Sequence, residues 1–98
     1  MSTDCYDRQG QRIAVSEWAR LRRIPGYANV GQERRGDVLV STAWLGLDSS
    51  GEGPPEIFET LVFGGRYDTF LERYCTEEQA CEGHLRTTTM AFGDGGFL

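Results

Sequence analysis

The stretch VLVSTAWLGLDSSGEGPPEIFETLVFGG, residues 38–65, decides the fold. Its two ends, VLVSTAWLGLD and EIFETLVFGG, are rich in the β-branched and apolar residues that strands favour. The seven residues between these ends, SSGEGPP, are typical of a turn. Pro54 and Pro55 lie at the mouth of the second strand, where a missing amide donor does little harm. The stretch therefore predicts a β-hairpin.

Glu59 interrupts the apolar run of the second strand, and an ionised carboxylate is costly to bury without a partner. A symmetric loop places Leu45 opposite Glu59. Glu59 then shares a face with Leu45, Leu47, Ile57 and Leu61. The other face carries Val40, Thr42, Trp44, Phe58, Thr60 and Val62. Either both faces are covered, or one is covered and the other binds a partner, and a shift of one residue in register would exchange them.

The segment SEWARLRR, residues 16–23, predicts a first helix. Ser16 is a suitable N-cap and Glu17 suits the positive start of a helix, while Pro25 and Gly26 end it. Before this helix, CYDRQGQRI indicates a short strand and a turn. Residues 25–36 after it are predicted to be irregular, with Tyr27 and Val30 against the core.

The segment TEEQ, residues 76–79, predicts the start of a second helix, because a hydroxyl three residues before glutamine forms a capping box. One face of this helix, expected to pack on the sheet, carries Cys81, His84, Leu85 and Thr88. A third strand is predicted over Leu71–Cys75. The glycine-rich end AFGDGGFL is expected to fray, although Phe92 has the character of a docking residue.

These elements predict an α+β domain, with a small antiparallel sheet of three to four strands built around the central hairpin and packed with two helices. The length of 98 residues and the composition, 39% hydrophobic and 26% charged, are those of one folded domain. We expect a single domain over residues 1–98, with a mobile tail over residues 92–98.

Composition and charge narrow the cellular setting. All ten basic residues are arginine, which a high-GC coding genome explains most simply. The net charge of −5 gives no uniform basic field, so we predict no nucleic-acid partner even though arginines concentrate at positions 20, 22, 23, 34 and 35. The sequence contains no run of apolar residues long enough for a membrane span, and its three cysteines fit no disulfide scaffold. These features favour the cytoplasm.

Two constellations of residues are candidates for chemistry. His84, the one histidine of the chain, and Glu59 could meet across the sheet for acid–base work or metal ligation, although a histidine on an apolar helix face is also a common core residue. Cys75, Cys81 and His84 have a weak zinc-like spacing, for which Cys5 or a carboxylate would have to be the fourth ligand. Signatures of hydrolases, nucleotide-binding loops and zinc proteases are missing from the sequence. We therefore predict no catalytic residue, no metal and no cofactor.

The hairpin segment, followed by ERYCTEEQACEGH, resembles a family of small uncharacterised proteins from bacteriophage and prophage genomes, especially those of actinobacterial hosts. Members are similar to VSTVWLGLDH, a Gly/Pro-rich loop, PLIFETMVFGG and ERYSTEEEALAGH. The resemblance covers residues 38–84 and, more weakly, YDRQG and EWARL. Trp44, Glu59 and His84 match the pattern, whereas Ser49 replaces a frequent histidine and Cys75 replaces a serine.

The resemblance implies an accessory protein of a phage or prophage, present in the cytoplasm of an infected or lysogenic bacterium. We expect it to act without catalysis by binding a host or phage macromolecule, in the first instance a protein, with Trp44, Glu59 and His84 as the candidate binding residues. One alternative is a small enzyme or metal-binding domain centred on Glu59 and His84. Another is a virion-associated or self-assembling component. The partner and the oligomeric state are left open.

Overall fold

The predicted hairpin forms the middle of a four-stranded antiparallel sheet. The structure, a computed structural model, describes residues 3–48 and 51–96. The elements follow in the order β1 (Cys5–Tyr6), β2 (Arg12–Ile13), α1 (Val15–Arg22), β3 (Asn29–Arg35), β4 (Val38–Trp44), β5 (Phe58–Phe63), β6 (Leu71–Tyr74) and α2 (Glu77–Gly96). Strands β1 and β2 form a separate two-stranded sheet, and β3 to β6 pair in sequence order. The predicted α+β class is confirmed.

The register of the hairpin differs from the symmetric prediction by two residues. Ala43, and not Leu45, lies opposite Glu59. At the loop end of the hairpin, the amides of Leu45 and Gly46 both donate to the carbonyl of Ile57, at 2.7 and 3.2 Å. Two residues thus oppose one, as in a β-bulge, and the loop is asymmetric. Because the shift is even, the predicted faces are correct within β4 and β5. Leu45, Leu47 and Ile57 lie beyond the ends of these strands, and Ile57 is buried in the core.

Helix α2 packs across one face of the four-stranded sheet, called here the inner face. Six inner-face residues of β4 and β5 have an exposed fraction of 1% or less: Val40, Thr42, Trp44, Phe58, Thr60 and Val62. On the helix, the buried positions are Ala80, Gly83, His84 and Thr87. The predicted helix face was wrong about Cys81 and Leu85, both of which are exposed. Gly83 explains the difference, because it has no side chain and the ring of Tyr74 packs against its backbone.

Strand β3 occupies part of the segment that was predicted to be irregular, so that prediction was wrong. Its sequence, NVGQERR, lacks the apolar alternation of a half-buried strand because β3 lies at the edge of the sheet and pairs with β4 alone. A two-residue turn connects β3 to β4, with Arg35 opposite Val38 and Gly36 in the left-handed region at φ 59°. Glycine adopts this conformation without steric cost.

Helix α1 begins at Val15, close to the predicted start near Ser16, but its cap differs. Ala14, and not Ser16, is the N-cap, and no side chain caps the helix. Leu21 is buried in a core cluster with Trp44, Ile57, Phe58, Tyr74 and Ala80. The indole of Trp18 donates to the carbonyl of Leu45 at 3.0 Å and so ties α1 to the end of β4. The core therefore lies at the end of the sheet where α1, the small sheet and the start of α2 meet.

Helix α2 begins with the predicted capping box. The amide of Gln79 donates to Thr76 Oγ1 at 3.1 Å, and the amide of Thr76 donates to Gln79 Oε1 at 3.3 Å. The helix continues to Gly96, and the guanidinium of Arg35 lies 5.1 Å from the centre of the Phe92 ring. The predicted mobile tail is thus helical through residue 96, while residues 97 and 98 lie outside the described part of the chain.

Candidate functional site

Hydrogen-bonded polar side chains cross the sheet beneath α2. His84 Nε2 lies 2.7 Å from Glu33 Oε1, and His84 Nδ1 lies 2.7 Å from Thr42 Oγ1. Thr42 Oγ1 lies 2.6 Å from Thr60 Oγ1, which in turn lies 3.0 Å from the hydroxyl of Tyr74. This series, called here the polar chain, ends where the Tyr74 hydroxyl donates to Glu72 Oε1 at 2.9 Å.

The middle of the polar chain is buried and its ends reach solvent. Thr42 and Thr60 are 0% exposed, and His84 and Tyr74 are also buried. The side chains at the ends are more open, at 56% for Glu33 and 38% for Glu72. Each strand of the large sheet supplies at least one residue of the polar chain. In the described part of the chain, no buried side-chain nitrogen or oxygen lacks a hydrogen-bond partner.

Two glycines make room for the polar chain. A Cβ atom at Gly31 would lie 2.8 Å from His84 Nε2. At Gly83, a Cβ atom would lie 2.2 Å from the Tyr74 hydroxyl oxygen. Both distances are shorter than normal van der Waals contact, so the two rings occupy the space that side chains at these positions would need. The glycines in β3 and α2 therefore set how closely the helix approaches the sheet.

Burial raises the pKa of the Tyr74 hydroxyl, and the neighbouring Glu72 carboxylate raises it further. Tyr74 therefore keeps its proton at neutral pH and has one proton to donate. Glu72, when ionised, can only accept. Its second partner is Arg86, whose Nη2 donates to Glu72 Oε1 at 2.9 Å. The β6 end of the polar chain is thus closed by a carboxylate between a tyrosine and an arginine.

Glu33, His84 and Thr42 have the connectivity of a catalytic triad, in which a carboxylate orients a histidine that bonds to a hydroxyl. A nucleophile must reach its substrate. Thr42 is 0% exposed and points at α2, so no substrate can approach its hydroxyl in this fold. The arrangement therefore joins the helix to the sheet and does not form a nucleophilic site.

Glu59 and His84, the pair considered as a possible site across the sheet, lie on opposite faces. His84 contacts the inner face through Thr42, whereas Glu59 is the neighbour of Thr60 in β5 and points the other way. Glu59 is instead half-buried beside Arg73, whose Nε donates to its Oε2 at 3.0 Å. The partner of His84 is Glu33, which sequence reasoning did not single out. A site centred on both Glu59 and His84 does not form.

Trp44 lies in the core. Its side chain is 1% exposed, its Nε1 donates to the carbonyl of Tyr6 at 3.1 Å, and its ring packs edge-on against Tyr27 with centroids 4.9 Å apart. His84 is likewise buried beneath α2. Of the three candidate binding residues, Glu59 alone points away from the helix, toward the other face of the sheet.

The cysteines do not assemble a metal site. Cys5 is buried, Cys75 is half-buried with its Sγ 3.7 Å from the carbonyl oxygen of Pro54, and Cys81 is exposed on α2. Across residues 3–48 and 51–96, no group of three or more His, Cys, Asp or Glu side chains is arranged to hold a metal ion. Cys75 precedes α2, Cys81 is exposed on the helix and His84 is buried beneath it, so the three side chains of the zinc-like spacing do not converge.

The face of the large sheet opposite α2 is called here the open face. Helix α2 contacts all four strands from the inner face, and α1 packs on β1. On the open face, Leu39 lies opposite Phe63, and Leu61 lies opposite Leu71. Because Leu61 and Phe63 are neighbours on the same side of β5, these four side chains form one apolar patch. Phe63 is 49% exposed and Leu71 is 47% exposed.

Charged side chains border the apolar patch on two sides. Arg34 on β3 lies opposite Leu39, at one edge of the patch, and is exposed. The pair of Glu59 and Arg73 borders it at another edge. Alternation along β5 placed Glu59 and Leu61 together in the sequence analysis, but Phe63 and Leu71 were missed because their roles depend on the pairing of β5 with β4 and β6. The patch is therefore a tertiary feature.

Two shallow clefts lie elsewhere on the surface. One, of about 300 Å³, is lined mainly by the 8–10 turn, Pro54, Pro55 and the start of α2. Arg8 in this cleft donates to both carboxylate oxygens of Glu77, at 3.0 and 2.6 Å, so its charge is already paired. The other, of about 310 Å³, lies between β3 and α2 beside Glu33. Neither is an enclosed, apolar pocket of the kind that small-molecule ligands favour.

Comparison with protein-family models, curated proteins and solved structures finds no match for this chain. The resemblance to phage and prophage proteins therefore stays a prediction. The described residues contain no helix that is both long enough and apolar enough to span a membrane.

Proposed function

We propose that this protein is a protein-binding module whose contact surface is the open face of its large sheet. The observation that carries the proposal is the apolar patch of Leu39, Leu61, Phe63 and Leu71, which the strand register brings together on a face without a helix. Contiguous apolar surface bordered by charged groups is typical of sites where proteins bind one another.

The energetics of the patch fit a binding role. Phe63 and Leu71 keep about half of their surface in water, although α2 covers the other face of the same sheet. Burying the remaining half of each side chain in an interface would contribute about 1 kcal/mol per residue. The central position of Phe63, with Leu39 and Leu61 around it, makes it the anchor that we expect to dominate the binding energy.

The border of the patch indicates the chemistry of the partner. Arg34 offers an exposed positive charge, whereas Glu59 and Arg73 neutralise one another. A complementary surface would therefore present apolar side chains at its centre and a carboxylate where it meets Arg34. Such a partner is a protein, since the apolar centre would gain nothing from the backbone of a nucleic acid.

The biological setting belongs to the same proposal. The all-arginine basic composition and the resemblance of residues 38–84 support an accessory protein of a phage or prophage, acting in the bacterial cytoplasm. A binding role without catalysis is supported by the buried position of Thr42 and the separation of Glu59 from His84. The partner would then be a host or phage protein.

The test compares two variants of the tagged protein as bait in an actinobacterial host lysate. The first, Phe63→Ser with Leu71→Ser, removes the two most exposed side chains of the apolar patch. The second, Leu85→Ser, is a matched control, because Leu85 is 67% exposed on α2 and lies outside the patch. We expect one stoichiometric protein to be retained by the wild type and the control and lost by the double variant. Binding of the purified partner, measured by calorimetry, should then weaken at least tenfold in the double variant.

Two results would overturn this proposal. Equal binding of the purified partner by the wild type and the double variant, both shown to be folded by circular dichroism, would remove the open face from the interface. A concentration-dependent dimer or larger oligomer in sedimentation, dissociated by the double variant, would show that the patch binds a second copy of the chain. That second result would support the self-assembling alternative instead.

A further inference from the structure

When His84 is neutral, the polar chain contains one more hydrogen bond than it has protons. Five hydrogen bonds link Glu33 to His84, His84 to Thr42, Thr42 to Thr60, Thr60 to Tyr74 and Tyr74 to Glu72. Each needs one proton between its two heavy atoms. With both carboxylates ionised, the protons come only from the three hydroxyls and the imidazole. A neutral imidazole brings one proton, which leaves one of the five bonds without any.

The direction of the bonds is fixed from the β6 end. Tyr74 has one hydroxyl proton, and Glu72 can only accept, so Tyr74 donates to Glu72. The Thr60 hydroxyl must then donate to Tyr74. By the same reasoning Thr42 donates to Thr60, and His84 Nδ1–H donates to Thr42. At the other end, His84 Nε2 faces the carboxylate of Glu33 and must also donate.

We propose that the polar chain is a binding site for one additional proton, held by His84 as an imidazolium between the Glu33 carboxylate and the Thr42 hydroxyl. Both ring nitrogens then donate, and all five hydrogen bonds are formed. Imidazole is ordinarily more basic than a carboxylate, which places the proton on His84 and not on Glu33. Glu33, with its exposed side chain, connects the site to solvent.

The charges around the site are compatible with a bound proton. From β3, Glu33 faces the ring directly, and Arg35 lies two residues further along the same face. Strands β4 and β5 contribute only the hydroxyls of Thr42 and Thr60. At the far end, Glu72 of β6 is shared between Tyr74 and Arg86 of α2. Thr87 also bonds to Tyr74, but it brings its own proton and leaves the balance unchanged.

Loss of this proton would break one of the five hydrogen bonds of the polar chain. A neutral ring that donates from Nδ1 would turn the lone pair of Nε2 toward the Glu33 carboxylate, across 2.7 Å. A neutral ring that donates from Nε2 would keep the bond to Glu33, but one of the contacts of the polar chain between Thr42 and Glu72 would then have no proton. Two acceptors at such a distance repel, and an unpaired buried polar group is costly. The stability that the polar chain contributes to the fold therefore depends on pH.

The test is nitrogen-15 NMR of the imidazole, which is unambiguous because the chain contains one histidine. At about pH 7.5, one unit above the ordinary value for histidine, we expect both ring nitrogens of the wild type to be protonated. In Glu33→Gln, the amide can donate to Nε2, so the ring should be neutral with its proton on Nδ1. In Tyr74→Phe, the hydroxyls can reverse direction, so the ring should be neutral with its proton on Nε2.

The wild type alone can overturn the inference, even if a variant fails to fold. A neutral His84 in folded wild-type protein at that pH would show that one of the five contacts is not a hydrogen bond. The folded Glu33→Gln and Tyr74→Phe variants no longer need the additional proton. If their imidazole stays doubly protonated, the polar chain is not the reason for the protonation, and the inference is overturned.

The pH dependence of the folding equilibrium gives a second test. A proton bound by the folded state and not by the unfolded one stabilises the fold fully below the histidine value of about 6.5 and progressively less as pH rises. The folding equilibrium constant of the wild type should therefore fall about tenfold per pH unit above that value until the site is empty. Glu33→Gln should lack this dependence. Equal slopes in the two proteins would contradict the inference.

Discussion

Glu59 and Arg73 lie directly opposite each other on β5 and β6, and both Nε and Nη2 of the arginine lie 3.0 Å from Glu59 Oε2. The carboxylate side chain is only 13% exposed. The glutamate that interrupts an apolar strand is thus matched by an arginine on the neighbouring strand, which offsets the cost of its partial burial. This pair also forms one border of the apolar patch that we propose as a binding surface.

A double-mutant cycle with Glu59→Gln and Arg73→Gln should show that the two side chains stabilise the sheet together. We expect a coupling free energy of about 0.5 to 1 kcal/mol from urea unfolding, because the pair is partly shielded from water. The same cycle on Glu17 and Arg20, which pair in the open on α1, is the control and should give a smaller coupling, because water screens an exposed pair. A coupling of zero between Glu59 and Arg73 would contradict a structural role for the pair.

Gly83→Ala should destabilise the protein, because the new methyl group would lie within 2.3 Å of the Tyr74 ring. We expect a loss of about 1 to 3 kcal/mol in the free energy of unfolding, as in other overpacked cores. Gly93→Ala in the same helix is the matched control, since its methyl group would lie 3.8 Å from the nearest atom, in Thr89. It should be neutral or stabilise the helix by up to about 1 kcal/mol. Equal effects would show that α2 does not approach β6 as described.

The parts of the fold that could be predicted from the sequence rest on local signals. The central hairpin follows from two β-rich segments around a Gly/Pro-rich turn, and the start of α2 follows from a capping box between Thr76 and Gln79. The alternation of β4 and β5 also separated the two sheet faces correctly. These signals involve residues that are close in sequence, and the physical chemistry of turns, caps and strands acts over that range.

The features of the fold and of the site that the sequence did not predict depend on contacts between residues far apart in the chain. Strand β3 is charged, and only its pairing with β4 makes it a strand. His84 was recognised as a candidate, but its partner Glu33 lies 51 positions away and joins it only when α2 packs over the edge strand. The helix face was misassigned because nothing local indicates that Tyr74 fills the space above Gly83. A single sequence carries no record of such contacts.

Thr76→Ala should destabilise α2 by about 1 kcal/mol, because its hydroxyl accepts the Gln79 amide in the first turn. Thr76→Ser keeps the hydroxyl and is the control, with an expected change of less than about 0.5 kcal/mol. Thermal unfolding followed by circular dichroism measures both. If the alanine and serine variants unfold at the same temperature, the capping box does not contribute to the stability of the fold.

Cys75 should react more slowly with iodoacetamide than Cys81 at neutral pH. Burial raises the pKa of the Cys75 thiol, and the nearby Glu56 and Asp48 carboxylates raise it further, so less of it is thiolate at a given pH. Mass spectrometry of the alkylated peptides between pH 7 and about pH 9, a range that spans the ordinary cysteine value, should show the reactivity of Cys75 rising mainly at the upper end of the range. Glu56→Gln should speed the reaction of Cys75 several-fold, because it removes one of the two negative charges. Glu82→Gln, a matched change on the exposed side of α2, should leave it unchanged, and equal rates at Cys75 in the two variants would contradict the electrostatic cause.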